Sequence, residues 1–155
     1  MRISLYKEEE HLEINSLVEE IAKEFEEPIV SSNSSTKKNF DNLWLVKKDE
    51  LLIGTIGVIR LKNNNAILKS MFVKKEFRGK NIGVSRLLIQ TAIDWLRDEK
   101  IERIYLGTMN QFKAAQKFYT KNGFFKIDKM ELPSDFINNS IDNLYYRMNL
   151  TIDNN

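Results

Sequence analysis

Residues 71–100 place a strand, a loop and a long helix in direct succession, and this order constrains the fold of the whole chain. Met71-Phe72-Val73 closes an apolar strand, the loop Arg78-Gly79-Lys80-Asn81-Ile82-Gly83 follows, and Val84 opens the helix. The first amide groups of a helix have no partner inside it, so its amino end attracts anions. The two glycines let the loop backbone approach a ligand closely. The segment therefore predicts an anion site of phosphate size.

The loop does not match the two best-known phosphate motifs. It lacks the Gly-Lys-Ser/Thr ending of a P-loop and the three-glycine spacing of a dinucleotide-binding turn. What remains is a turn in which successive amides point at one anion, with Arg78, Lys80 or Arg86 adding positive charge. The competing interpretation is an ordinary strand-to-helix turn, because a short glycine motif carries little specificity by itself.

Hydrophobic periodicity on both sides of this segment predicts an α+β fold with a mixed sheet. Helical spacing marks Ile14 to Phe25, Val84 to Lys100 and Phe112 to Lys121. The predicted strands are Arg2 to Tyr6, Leu43 to Val46, Leu51 to Arg60, Ala66 to Val73, Ile101 to Leu106, Phe124 to Ile127 and Leu144 to Leu150. Short turns at 47–50 and 62–65 indicate an antiparallel meander. The strand–helix–strand run that follows indicates a parallel crossover.

Composition narrows the class of protein. The 155 residues fit one domain, and 42% hydrophobic with 30% charged residues is typical of a soluble globular protein. The 24 Lys and Arg against 22 Asp and Glu leave a net charge of +2, too small to indicate nucleic acid. With no cysteine, disulfides and a cysteine nucleophile are excluded. The charged first ten residues predict no signal peptide, and no apolar run predicts a membrane span. We expect a cytoplasmic protein.

Four motifs in order resemble those of the GNAT (Gcn5-related N-acetyltransferase) family: Met71-Phe72-Val73, the loop from Arg78 to Gly83, Phe118-Tyr119 and Gly123-Phe124. The family's loop pattern is Gln/Arg-x-x-Gly-x-Gly/Ala, and this chain carries Asn81 at the first of those glycines. The resemblance implies the acyl-CoA N-acyltransferase fold, in one domain that spans all 155 residues. That fold has three layers, α/β/α, around a mixed, splayed sheet of six to seven strands.

By the same resemblance, acetyl-CoA (coenzyme A) is the co-substrate and no metal takes part. Backbone groups of Met71 and Val73 would bind the pantetheine arm, and amides from Gly79 to Val84 would hold the pyrophosphate. Phe112 stands where many relatives carry a coenzyme-binding asparagine, and we expect Asn110 to replace it. The expected coenzyme-binding residues are Met71, Phe72, Val73, Arg78, Gly79, Lys80, Asn81, Ile82, Gly83, Val84 and Asn110.

Tyr119 is the catalytic residue that the resemblance implies. Its family counterpart donates a proton to the departing coenzyme A thiolate, which gains charge as the amide forms. From periodicity alone, the competing interpretation is a core tyrosine with a hydrogen-bonded hydroxyl. The single histidine, His11, lies in a charged run and is interpreted as a solvated or capping residue.

The sequence does not identify the group that takes the proton of the attacking amine. Relatives often carry a glutamate at the positions of Ile67 and Gly107, and neither residue can take a proton. The alternatives are a water held by backbone carbonyls or by Thr108 and Asn110, or a carboxylate from Asp41, Glu131 or Asp142. Deprotonating an amine of pKa about 10.4 at pH 7 costs about 4.6 kcal/mol, against about 1.4 kcal/mol for an α-amine near pKa 8. A missing base therefore favours a weakly basic acceptor.

The resulting hypothesis is an enzyme that moves the acetyl group of acetyl-CoA to a primary amine by direct attack, with a small molecule favoured over a protein. The alternative is a non-catalytic module on the same fold that binds acyl-CoA or another protein. We expect the acceptor to lie against the first helix, the loop from Ser31 to Thr36 and the loop from Pro133 to Asn143. No nucleic-acid or membrane partner is expected. The oligomeric state is open, and a homodimer through a terminal strand would be unsurprising.

Overall fold

Seven strands and three α-helices make up the fold in a computed structural model that describes residues 1–30, 40–79 and 81–150. In chain order they are β1 (Arg2–Leu5), α1 (His11–Ala22), β2 (Asn42–Lys48), β3 (Leu51–Arg60), β4 (Asn65–Val73), α2 (Val84–Asp98), β5 (Arg103–Thr108), α3 (Lys113–Lys121), β6 (Phe125–Ile127) and β7 (Leu144–Asn149). Every predicted strand and helix is present. Lys80 and the predicted loop from Ser31 to Thr36 lie outside the described residues. None of the described helices is both long enough and apolar enough to span a bilayer.

The strands form one mixed sheet in the order β1-β2-β3-β4-β5-β7-β6. The strands β1 to β4 make an antiparallel meander, and β4 and β5 pair in parallel. β7 lies between β5 and β6 and is antiparallel to both. Helix α2 is the crossover that lets β4 and β5 run in the same direction. This topology confirms the predicted meander followed by one parallel crossover.

Both predicted turns of the meander are confirmed, and each contains two consecutive residues with positive φ. Asp49 and Glu50 connect β2 to β3 at φ +49° and +66°. Asn63 and Asn64 connect β3 to β4 at φ +61° and +59°. Two adjacent residues of this kind are the signature of a type I′ turn, whose twist matches that of the flanking strands.

Helices cover both faces of the sheet and give the predicted three layers. Leu17 of α1 belongs to a buried cluster with Leu45 of β2. Leu88 of α2 and Tyr119 of α3 belong to a second buried cluster, which contains Val46 of β2. Neighbouring side chains of a strand point to opposite faces, so Leu45 and Val46 mark the two sides of the sheet.

Helix α2 ends two residues earlier, and β5 begins two residues later, than periodicity predicts. Lys100 has φ +64°, and the amides of Lys100 and Ile101 donate to the carbonyls of Arg97 and Leu96, both at 3.0 Å. This pattern is a Schellman motif with lysine at the left-handed position. Ile101 is buried because it packs at this helix end, so its apolar side chain resembled the start of a strand in the sequence.

A bulge in β4 changes the direction of the strand. Thr55 pairs with Phe72 and Gly57 with Lys69, so β4 contains one more residue than β3 over this interval. Ser70, inside the bulge, has φ +54°. The buried hydroxyl of Thr55 donates to the Ser70 carbonyl at 2.7 Å. Because a bulge bends its strand and increases the local twist, β4 turns away from its earlier course here.

Strands β4 and β5 separate after three residue pairs. Asn65, Ala66 and Ile67 pair with residues 103, 104 and 105 of β5. Beyond Ile67, the described pairings of β4 are with β3 alone. The predicted splay of the sheet is therefore present, as a V-shaped opening between the end of β4 and the end of β5.

Replacing Thr55 by valine should lower the free energy of unfolding by about 1–2 kcal/mol, because the Ser70 carbonyl loses its hydrogen bond while the side-chain shape is kept. Urea denaturation measures this change. Thr55→Ser, which keeps the hydroxyl, is the control, and only the valine variant should bind acetyl-CoA more weakly. Equal acetyl-CoA affinity in the two variants would show that the hydroxyl does not hold the bulge.

Candidate active site

The separation of β4 and β5 opens a cavity of about 1290 Å³. Its described wall includes the end of β4, the first turn of α2, the end of β5, one face each of α1 and α3, the residues that follow α1, and the loop that precedes β7. The predicted anion loop, the predicted catalytic tyrosine and the first helix therefore share one cavity.

The loop between β4 and α2 has the backbone geometry of an anion site. Gly79 has φ +120° and Gly83 has φ +79°, and Gly83 is the N-cap residue of α2. A glycine cannot cap the helix with a side chain, so the amides of the first turn are left for another acceptor. Gly79, Gly83 and Arg86 line the cavity. The amides of the first turn of α2 and the positive charge of Arg86 thus occur together on this part of the cavity wall.

Arg78 fixes the loop in place. Its guanidinium donates to both carboxylate oxygens of Glu24, at 2.6 and 2.9 Å, and its Nε donates to the Val73 carbonyl at 2.8 Å. Paired bonds of this kind are strong and directional. Lys74 makes a second ion pair, with Glu20 of α1, at 3.1 Å. Both contacts join the start of the loop to α1 and the residues that follow it.

The other residues predicted to bind coenzyme A fall into two groups. Met71, Phe72 and Val73 line the cavity on the side of β4. The described lining does not include Asn81, Ile82, Val84 or Asn110. The Val84 side chain is fully buried, and the Asn110 side chain accepts a hydrogen bond from Lys113 at 2.9 Å. The role expected of Asn110 stays a prediction without structural support, and Lys80 lies outside the described residues.

Positive charge is concentrated on the cavity wall. Among the described residues, six basic and three acidic side chains line it: Lys69, Arg78, Arg86, Lys113, Lys117 and Lys121 against Glu19, Glu24 and Asp142. The whole chain has a net charge of only +2, so the excess is local. A wall of this kind attracts a ligand that carries several negative charges.

Tyr119 lies on the cavity wall and is 8% exposed. Its ring packs against Phe124 and Tyr146, with ring centroids 5.7 and 6.2 Å away. Burial and, to a lesser degree, the charge of Asp142 raise the pKa of the Tyr119 hydroxyl above its usual value. The hydroxyl therefore keeps its proton at neutral pH. Tyr119 is at once a core residue and a cavity residue, which explains why periodicity alone left both interpretations open.

One of the three carboxylates left open by the sequence lies at the site. Asp41 accepts the amide of Arg60 at 2.6 Å, and Glu131 accepts the amide of Asp128 at 2.8 Å. Neither acid is part of the described cavity wall. Asp142 does line the cavity, and its carboxylate covers Gly107: a Cβ placed on Gly107 would be 2.5 Å from Oδ2.

The contact between two aromatic residues of the cavity wall carried no signal in the sequence. Phe25 and Phe112 meet edge to face, with ring centroids 4.8 Å apart, and both line the cavity. They lie far apart in the chain, and only the fold brings them together. His11 also lines the cavity, as the first residue of α1, with its Nε2 3.3 Å from Asn15 Nδ2. The amphipathic face of α1 was the one available sign that this helix covers a site.

The sequence profile of the Acetyltransferase (GNAT) family matches residues 7–124, about three quarters of the chain. The chain belongs to this family. The resemblance drawn from the four motifs is thereby confirmed, and the matched region contains all four of them.

Solved structures and curated relatives agree with this assignment. A GNAT-family acetyltransferase from Staphylococcus aureus Mu50 is similar over 97% of this chain and 99% of that one, with a TM-score of 0.85 and 31% identity. The PaiA N-acetyltransferase from Thermoplasma acidophilum, crystallised with coenzyme A, has a TM-score of 0.71 at 19% identity, over 97% of this chain and 100% of that one.

The probable N-acetyltransferase camello of Xenopus laevis is 30% identical over 111 residues, which are 69% of this chain and 49% of the relative. The chain spans about half the length, or less, of the curated relatives it matches. The predicted GNAT fold is confirmed.

Gly83→Ala should lower the free energy of unfolding by about 1–2 kcal/mol, because an alanine at φ +79° is strained. It should also weaken acetyl-CoA binding, since relief of that strain moves the first amides of α2. Gly123→Ala is the matched control: its φ is +98°, and it lies outside the described cavity wall. Urea denaturation and a thermal-shift titration measure the two effects. Equal loss of acetyl-CoA affinity in both variants would contradict a binding role for the loop.

Proposed function

We propose that the protein is an acetyl-CoA-dependent N-acetyltransferase that acts on the primary amine of a small molecule. The observation that carries this proposal is the single cavity that contains the amino end of α2, the unpaired side of β4 and Tyr119. Membership of the GNAT family and the 31% identity to a GNAT acetyltransferase from Staphylococcus aureus support the same reaction class.

The cavity fits the chemistry of coenzyme A. The pyrophosphate needs amide donors and positive charge, which the first turn of α2 and Arg86 supply. The pantetheine arm carries two amide groups, which suit the β4 backbone beyond Ile67, where β5 no longer pairs with it. An extended ligand would there take the place of a neighbouring strand.

The chemical step needs a proton donor on the sulfur side. The amine nitrogen attacks the thioester carbon, the carbon–nitrogen bond forms, and the carbon–sulfur bond breaks. Tyr119 donates its hydroxyl proton to the departing sulfur. The Tyr119 hydroxyl is protonated at neutral pH, so it has a proton to give when the sulfur becomes negative. Holding both substrates in one cavity supplies the remaining rate enhancement through proximity.

The acceptor lies against α1 in this proposal. The wall on that side is largely apolar, with Ile14, Val18, Phe25 and Ile29 among its residues. The loop that precedes β7 forms the facing wall, through Asn139, Ile141 and Asp142. A recess closed on two sides suits a compact amine better than a folded protein surface.

A thermal-shift titration with acetyl-CoA tests the donor half of the proposal. Ligand at 100 times its Kd adds about 2.7 kcal/mol of stability, which corresponds to about 5–10 °C in Tm for a domain of this size. Release of free thiol over a panel of small primary amines then tests transfer. A shift without thiol release would support the non-catalytic alternative, and no shift at millimolar acetyl-CoA would contradict both.

Tyr119→Phe should lower kcat by about 100-fold or more, because the departing sulfur loses its proton donor. The Kd of acetyl-CoA should stay nearly constant, since the ring and its packing are kept. Tyr105→Phe is the matched control, because Tyr105 is buried in a separate cluster with Ile127 and Tyr145. Thiol-release kinetics and the titration measure both quantities. An unchanged kcat in Tyr119→Phe would remove this residue from the chemistry.

A further inference from the structure

We propose that Asp142 binds the ammonium group of the acceptor and takes the proton that the amine must lose before it attacks. The inference rests on the proposed function and names a residue for the one step that Tyr119 does not perform. The Asp142 carboxylate reaches the cavity from the loop before β7 and not from β5.

The Asp142 carboxylate fills the space that a side chain at Gly107 would occupy. A Cβ placed on Gly107 would lie 2.5 Å from Asp142 Oδ2, 3.0 Å from its Cγ and 3.3 Å from its Cβ. Gly107 pairs with Tyr145 in the regular register of β5 and β7, and its φ is not in the left-handed region. The glycine is therefore explained by the carboxylate that covers it rather than by its backbone angle.

Hydrogen bonds to β5 and the residues after it hold the loop in this position. The amide of Asn143 donates to the Thr108 carbonyl at 3.0 Å, and the Asn143 side chain accepts the amide of Asn110 at 2.8 Å. The amide of Asp142 donates to the Asn139 carbonyl at 3.0 Å. These bonds fix the backbone on both sides of the carboxylate, so its place above Gly107 follows from the fold.

Asp142 is the acid best placed among those that line the described cavity. Glu24 lies just after α1, and Glu19 is an exposed residue of α1, whereas the Asp142 carboxylate lies over Gly107 of β5. Asp142 and Tyr119 both line the cavity, and they are close enough for the charge of Asp142 to raise the pKa of the Tyr119 hydroxyl. The other two acids of the described wall lie on α1 or just after it, so Asp142 supplies negative charge beside Gly107, where a cationic amine would be favoured.

The Asp142 carboxylate and the Tyr119 hydroxyl together account for every proton that moves in the reaction. The ammonium gives one proton to the Asp142 carboxylate, and the neutral nitrogen attacks. The nitrogen loses a second proton as the amide forms, and this proton restores the Tyr119 hydroxyl after the sulfur has taken the first. One proton therefore leaves the protein in each turnover. Asp142 also lines a second pocket, of about 440 Å³, with Lys126 and Asp128, which gives that proton a path to solvent.

Asp142→Asn tests the inference, because asparagine keeps the shape and removes both the charge and the proton acceptor. With an alkylamine accepted by the wild type, kcat/KM should fall by about 100-fold, and more steeply as the amine becomes more basic. The thermal shift with acetyl-CoA should be kept. Asp41→Asn is the matched control, since Asp41 lies outside the described cavity wall, and its kcat/KM should stay near that of the wild type.

Moving the carboxylate to another residue distinguishes a chemical role of Asp142 from a structural one. Asp142→Ala opens the space above Gly107, and the double variant Asp142→Ala/Gly107→Glu returns a carboxylate to that space from β5. The double variant should recover at least about tenfold in kcat/KM over Asp142→Ala, which a purely structural role of Asp142 would not produce. This comparison holds even if Asp142→Asn folds poorly.

The outcomes distinguish this inference from the proposed function. If the wild type is active and Asp142→Asn keeps its kcat/KM, the role of Asp142 alone is overturned. The same holds if the double variant recovers no kcat/KM while it still binds acetyl-CoA. A wild type that releases no thiol with any amine would overturn the proposed function and this inference with it. A selective loss in Asp142→Asn with recovery in the double variant supports the inference.

Discussion

The separation of β4 from β5 is the constraint on which the rest of the structure depends. A parallel pair held by a crossover helix would ordinarily continue for the length of both strands, yet here it stops at Ile67. The extra residue of the β4 bulge, and the Thr55 hydrogen bond that supports it, turn the strand away within a few residues of that point. Without this bend, the space that becomes the cavity would be filled by sheet.

Local signals in the sequence account for most of the fold. Periodicity identified every described α-helix and strand, and short polar runs at 47–50 and 62–65 marked the turns. Asn63 and Asn64 adopt the positive φ that asparagine tolerates. The predicted end of α2 and start of β5 are wrong because Ile101, an apolar residue, packs at the end of the helix and not in the strand. The bulge at Ser70 could not be predicted, since neither serine nor its neighbours distinguish a bulged strand from a regular one.

The loop between β4 and α2 was predictable as part of the candidate site, and the position of Asp142 was not. Loop glycines and a helix amino end act through the backbone at adjacent positions, so a short motif records them. The position of Asp142 above Gly107 depends on a loop that returns from β6 and on hydrogen bonds to residues 108 and 110. Gly107 and Asp142 are 35 positions apart in the sequence, and no local pattern links them.

The ion pairs Arg78–Glu24 and Lys74–Glu20 have a consequence for the cavity wall. Lys74 is joined to α1 itself, and Arg78 is joined to Glu24, two residues after α1 ends. Partly exposed ion pairs contribute up to about 1 kcal/mol each, and they weaken as salt is added. The contact between these two parts of the cavity wall therefore depends on the ionic strength of the solution.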